Sequence, residues 1–217
     1  TVTEGLKNLF QYKEKVFCIP NAVDLKHYQK TYTVINRDIG GLPRPVIGYL
    51  GTIEDRLDLD LIAHIAKNNP HSSLVFAGPV WHESIKEKFL SQPNVHFLGR
   101  KTYQEAPMYL QQFDVAIMPH KIDAFAKSTN PMKIFDYLAV GKPVVTTASA
   151  DLEIFGDLIY KTNDYQEFNR LFSAALDEDR QINQAKRLNF IKGHSWHSRV
   201  EKMLELIYQQ PYMMNNL

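Results

Sequence analysis

Asn130-Pro-Met-Lys-Ile-Phe-Asp-Tyr-Leu-Ala-Val-Gly-Lys-Pro-Val-Val145 decides the fold. Asn130 reads as a helix N-cap and Pro131 as the first helical residue. Ile134, Tyr137 and Leu138 form one buried stripe of the helix, and a β-rich run, Val144–Thr147, follows at once. Upstream, Val115–Met118 is continuously apolar, as a strand buried on both faces should be. Strand, helix, strand in this order is a βαβ unit. The same alternation extends outward. Val46–Leu50, Leu74–Ala77 and Val95–Leu98 are further strand candidates, with Val16–Ile19 and Leu158–Tyr160 at the margins. Between them, Leu57, Leu61, Ile62 and Ile65 share a helix face that Pro70 stops, although Leu57-Asp-Leu-Asp-Leu61 also alternates like a strand. His82–Ser91 groups Ile85, Phe89 and Leu90, and Pro107–Gln112 is a short helix. Asp164–Leu176 carries a clear apolar stripe, Arg180–Lys192 a weaker one, and Trp196–Gln209 presents Val200, Met203, Leu204 and Ile207. The expected class is α/β, a Rossmann-like, doubly wound parallel sheet flanked by helices.

Composition excludes several classes. The 217 residues hold 25 Lys and Arg against 24 Asp and Glu, a net charge of +1. An electrostatically driven nucleic-acid binder would show a strong basic excess. With 44% hydrophobic and 23% charged residues the chain is ordinary for a globular protein, not a disordered one. No apolar run approaches the roughly 18 residues of a membrane helix. The start, Thr1-Val-Thr-Glu-Gly5, carries no signal-peptide pattern and no initiator Met, and is expected to be the beginning of a piece of a longer chain. A single cysteine, Cys18, leaves no internal disulfide and no cysteine-rich zinc site, which fits a reducing, cytoplasmic setting. Of the eight histidines, His194 and His197 are three residues apart but lack an acidic third ligand, so no metal site is expected.

Ligands of open α/β sheets bind beyond the carboxyl ends of the strands, and three such ends are informative. Gly48-Tyr-Leu-Gly51-Thr-Ile-Glu-Asp-Arg56 leaves a strand through a glycine that permits close approach, with Arg56 in reach of an anion. The same stretch is also compatible with a plain turn and a solvated arginine. It lacks the glycine spacing of the dinucleotide fingerprint. At Asn130, a helix start offers free N–H groups and partial positive charge. Lys133 in that first turn opposes the dipole unless an anion sits there, and Asp136 could accept from ribose hydroxyls. Alternatively, Lys133 and Asp136 form an exposed ion pair worth well under about 1 kcal/mol. Phe97-Leu-Gly99-Arg-Lys101-Thr-Tyr103 could frame a base and phosphates, or be a solvated turn. His120 ends a strand at the same edge.

Taken together, these segments resemble the C-terminal, donor-binding half of GT-B-fold glycosyltransferases, family 4 (glycosyl transferases group 1) or a close relative. The resemblance runs through Ile19-Pro-Asn-Ala-Val-Asp24-x-x-x-Tyr28, Gly48-Tyr-Leu-Gly51, Val75-Phe-Ala-Gly78, Val95-His-Phe-Leu-Gly99, Asp114-Val-Ala-Ile-Met-Pro119 and, most specifically, residues 130–145. It implies a donor diphosphate held by Gly51, Thr52, Arg56, Thr129, Asn130 and Lys133. It implies ribose binding by Asp136, and a base against Gly99, Arg100 and Lys101. His120 and Ser128 fall near the donor sugar. Ser128 stands where the family has the first of two glutamates, and Asp136 replaces the second. Ala22 replaces the usual glycine.

The implied division is the end of an N-terminal acceptor domain (1–36), an interdomain linker (37–45), a nucleotide-sugar-binding domain (46–195) and a C-terminal helix and tail (196–217). The implied activity is metal-independent, retaining transfer of a sugar from a UDP- or GDP-sugar to an acceptor, in surface polysaccharide or glycolipid synthesis. No cofactor, metal or nucleic acid is expected. The expected partner is the missing acceptor domain, inactive transfer by the fragment alone follows, and peripheral association at the inner face of the membrane would run through that domain. The rivals are a non-catalytic nucleotide-sugar-binding module, because Ser128 removes a carboxylate, and another GT-B enzyme such as a sugar-nucleotide epimerase.

Overall fold

The computed structural model describes residues 1–33, 36–123 and 128–209. Six parallel strands form one sheet: β1 (Val46–Leu50), β2 (Ser73–Ala77), β3 (Val95–Phe97), β4 (Val115–Met118), β5 (Val144–Thr146) and β6 (Tyr160–Lys161). Their spatial order is β3-β2-β1-β4-β5-β6, the doubly wound arrangement in which the winding direction reverses between β1 and β4. The Rossmann-like α/β expectation is therefore met. The helices are α1 (Glu4–Lys7), α2 (Leu25–Tyr28), α3 (Arg37–Gly40), α4 (Leu59–Asn68), α5 (Glu83–Glu87), α6 (Ala106–Gln112), α7 (Met132–Ala139), α8 (Tyr165–Asp177), α9 (Arg180–Lys192) and α10 (Trp196–Tyr208).

The continuous apolar strands bury both faces. In β1, Val46 faces the cluster that holds Tyr109, Phe113, Ile134, Phe135 and Leu138 from α6, α7 and their flanks. Ile47 and Tyr49 face the opposite cluster, with Leu61, Ile62, Ile65, Phe168 and Phe172 from α4 and α8. The two clusters could not both form if the strands alternated apolar with polar residues. Val23 and Tyr28, from the stretch assigned to a neighbouring domain, and Ile39, from the expected linker, join the first cluster, so parts of both stretches pack with the helices on this sheet.

Several local expectations are corrected. Val16–Ile19 is no strand: its backbone bonds the chain start, through Ile19 N–H to the Thr1 carbonyl at 2.8 Å and the Thr1 ammonium to the Phe17 carbonyl at 2.9 Å, and the local turn at Lys13, and among the described residues no second strand pairs with it. The helix expected over 82–91 stops at Glu87, leaving Phe89 buried but Leu90 83% exposed. Pro131, not Asn130, is the N-cap of α7, because the Asn130 side chain is engaged elsewhere. The strand-like start at Leu57 resolves into an antiparallel bridge from Leu57 to His120, after which Asp58 caps α4 by accepting from the Leu61 N–H. At the other end of α7, Gly141 (φ 73°) closes a Schellman turn: Lys142 N–H donates to the Tyr137 carbonyl and Gly141 N–H to that of Leu138. The 211–217 tail lies outside the described residues.

Candidate functional site

The winding reversal between β1 and β4 opens a crevice at their carboxyl ends. Beside it lies a cleft of about 490 Å³ lined by Gly51, Thr52, Gly78, Arg100, Lys101 and Tyr103. Gly51 has φ 146°, a conformation that suits glycine. A Cβ there would stand 2.2 Å from Lys133 Cε and 2.9 Å from its Nζ. The missing side chain is therefore the space into which Lys133 reaches from α7. Gly78 in turn packs on the Gly51 carbonyl, which a Cβ would approach to 1.9 Å.

Lys133 lies over the Tyr49 ring, 5.6 Å from its centroid. It is partly buried, and among the described residues it has no ion-pair partner; Asp136 and Glu54 act on it only at a distance. Burial first, then the Arg56 charge, pushes its pKa down. This rules out the exposed Lys133–Asp136 pair considered from the sequence. Arg56 itself bonds Glu54 at 2.7 Å and stays 46% exposed. His120 is buried, and its Nε2 has no hydrogen-bond partner among the described residues. Burial, with Lys133 and Arg56 adding to it, drives its pKa down to about 3, so the ring is neutral. Burial raises Asp136 to about 7, although the Tyr28 hydroxyl and Lys133 pull it back.

Not every expected residue lines this cleft: Gly51, Thr52, Arg100 and Lys101 do, whereas Arg56, His120, Asn130, Lys133 and Asp136 do not. Within the lining, the Lys101 ammonium is turned to Asp38 at 2.8 Å and to the Tyr109 ring, while Arg100 is exposed. The Gly99 carbonyl accepts from Gly78 N–H at 2.9 Å, which ties the third strand end to the second. Ser128, Thr129 and Asn130 form a turn whose carbonyls accept from Thr3 Oγ1, Asp151 N–H and Asn21 Nδ2 respectively. Residues 124–127 of the loop expected near the donor sugar lie outside the described residues. Two contributors were missed as site residues. Tyr28 stands beside Asp136 and packs edge-on against Tyr103, which stacks on His27 at 3.9 Å. Asn21 holds Asn130. Both lie within Ile19–Tyr28, a stretch that the resemblance assigns to the end of the N-terminal domain and not to the site. Among the described residues no group of three or more His, Cys, Asp or Glu could hold a metal ion, and no helix is long and apolar enough to cross a membrane.

The arrangement joins a partly buried cation, a helix head without a side-chain cap and a partly buried carboxyl group near a strand-end cleft. A sequence model of the family described as Glycosyl transferases group 1 matches residues 44–178. The chain belongs to that family. The Bacillus subtilis (strain 168) protein TuaH, whose name proposes a glycosyltransferase of teichuronic acid biosynthesis, is 31% identical over 144 residues. The match covers 65% of this chain but 36% of that protein. A glycosyltransferase from Rickettsia africae ESF-5 superposes with a TM-score of 0.77 at 17% identity, covering 99% of this chain and 63% of that one. Anabaena HepE, solved with UDP and glucose, gives 0.75 at 15% identity, covering 96% and 62%. These two structures share the fold, and this chain spans less than two thirds of each.

Proposed function

We propose that this chain is the donor-binding part of a retaining, metal-independent glycosyltransferase using a UDP- or GDP-sugar. The carrying observation is Lys133, a partly buried cation without an ion-pair partner among the described residues, fitted into the space at Gly51 in the first turn of α7. Burying such a charge is costly unless an anion compensates it. The donor diphosphate would lie there, met by Lys133, the backbone of Gly51 and Thr52, and the N–H groups at the start of α7, with Arg56 as a further cation. These fixed positive groups would stabilise charge as the diphosphate departs. Asp136 would accept from the ribose, and the base would lie towards Gly99, Arg100 and Lys101. His120 and Ser128 fall on the side of the donor sugar. HepE's complex with UDP and glucose supports a UDP-sugar, and TuaH, whose name proposes teichuronic acid biosynthesis, supports a role in surface polysaccharide or glycolipid synthesis. The acceptor site belongs to the part of the relatives this chain does not span, and that part would bring any association with the cytoplasmic face of a membrane.

Calorimetric titration with UDP, GDP, ADP and dTDP, with and without a chelator, tests the reading. One diphosphate should bind, and equally well with chelator. Lys133→Ala should weaken diphosphate binding about tenfold to a hundredfold and nucleoside binding less. Asp136→Ala should weaken both about equally. Equal, small effects on every ligand would overturn the assignment.

A further inference from the structure

The obvious cap of α7 does not cap it. Asn130 sits immediately before the N-cap Pro131, and α7 begins without any side-chain cap. Asn130 is 6% exposed, and both of its acceptors are taken by one residue: Asn21 N–H donates to Asn130 Oδ1 at 2.8 Å, and Asn21 Nδ2 donates to the Asn130 carbonyl at 2.6 Å. Asn21 is itself fixed from the far side. Arg199 of α10 donates to the Pro20 carbonyl at 2.9 Å and to the Asn21 carbonyl at 3.4 Å. Two residues on, Val23 N–H donates to the His194 carbonyl and accepts at its own carbonyl from Trp196 N–H. A loop 109 residues away in sequence is thus clasped on one side and anchored to α10 on the other.

We infer that Asn21 is a positioning residue for the phosphate end of the donor site. The Asn21 N–H holds the Asn130 side chain off the head of α7, and the Asn21 side-chain amide pins the Asn130 carbonyl, fixing the segment that aims Met132 N–H, Lys133 N–H and the Lys133 ammonium at the ligand. Without that amide the Asn130 carbonyl loses this donor and the segment loosens, although the backbone bond from residue 21 to Asn130 Oδ1 remains. The inference rests on the nucleotide reading of the cleft. Asn21 touches no ligand in this scheme; it acts through Asn130.

The test compares wild type, Asn21→Ala and Asn21→Asp by calorimetry with UDP and with uridine, and by thermal melting. If wild type prefers GDP, ADP or dTDP, that diphosphate and its nucleoside replace the pair. Asn21→Ala should lower diphosphate affinity about threefold to tenfold, the size of one lost hydrogen bond, and leave nucleoside affinity within about twofold. Asn21→Asp keeps the side chain's size and the backbone bond but sets a carboxylate against the Asn130 carbonyl. It should lower diphosphate affinity at least as much, and it carries the test alone if the alanine variant does not fold. Variants that melt earlier but keep the wild-type ratio of diphosphate to nucleoside affinity would show a merely structural clasp and overturn the inference alone. Failure of wild type to bind any of the four diphosphates would overturn the nucleotide reading and this inference with it.

Discussion

Asp136 and His120 are the two residues at the site whose surroundings displace them furthest from ordinary behaviour in the accessible pH range. Asp136 rises to about 7 because burial disfavours its charge, so the folded chain holds its proton more tightly than the unfolded chain does. Stability from this group is full below its unfolded value, near pH 3.8, and is lost as pH climbs towards 7. His120 works in the opposite sense: at about 3 against an ordinary 6.5, its contribution is full above pH 6.5 and is lost as pH falls towards 3. Between pH about 4 and 6.5 the two slopes oppose one another. Asp136→Asn separates them. The variant's melting temperature minus that of wild type should grow from pH about 4 to 7 and level off above. A difference flat across that range would mean that Asp136 is ionised throughout. The sequence marked both residues by position, but their displaced titration comes from burial, which no local pattern states.

At the scale of elements, α7 and its two ends carry the most consequence. Its C-terminal Schellman turn requires the left-handed conformation at Gly141, and a Cβ there would also meet Gln184 Cγ of α9 at 2.5 Å. Gly141→Ala should therefore cost at least about 1–2 kcal/mol, measured by denaturant unfolding, since both backbone strain and the α7–α9 contact are affected. A loss under about 0.5 kcal/mol would show that the turn relaxes into a right-handed form. The periodicity of Ile134, Tyr137 and Leu138 made this helix legible in the sequence. Its head was misread by one residue, because an Asn followed by Pro has a strong local preference for capping. That preference lost to two bonds from Asn21, a partner with no sequence proximity. The apolar run Val16–Ile19 failed for a related reason: strand propensity is realised only where a second strand offers a ladder. Residues of α10 illustrate the same limit, for Val200, Met203, Leu204 and Ile207 keep helical spacing yet remain 42–53% exposed.

For the whole molecule, the share of relatives left unspanned sets the expectation. The chain covers 62% of HepE and 63% of the Rickettsia glycosyltransferase, so an acceptor site on the remainder is out of reach. It should bind a nucleoside diphosphate yet release no sugar to an acceptor; robust transfer from a labelled UDP-sugar by these 217 residues would contradict the division. The sequence by itself determined the parallel sheet, because apolar strands separated by amphipathic helices can be buried only with helices on both faces. It also determined the family, through motifs whose order along the chain is as informative as their residues. Tertiary structure alone decided the strand order that opens the crevice between β1 and β4. It also decided that Lys133 fills the space at Gly51 instead of pairing with Asp136, and that Asn21 reaches Asn130. The reason is physical: helix and strand periods are local and repeat within a few residues, whereas a close approach between segments depends on distances that only the packed chain defines.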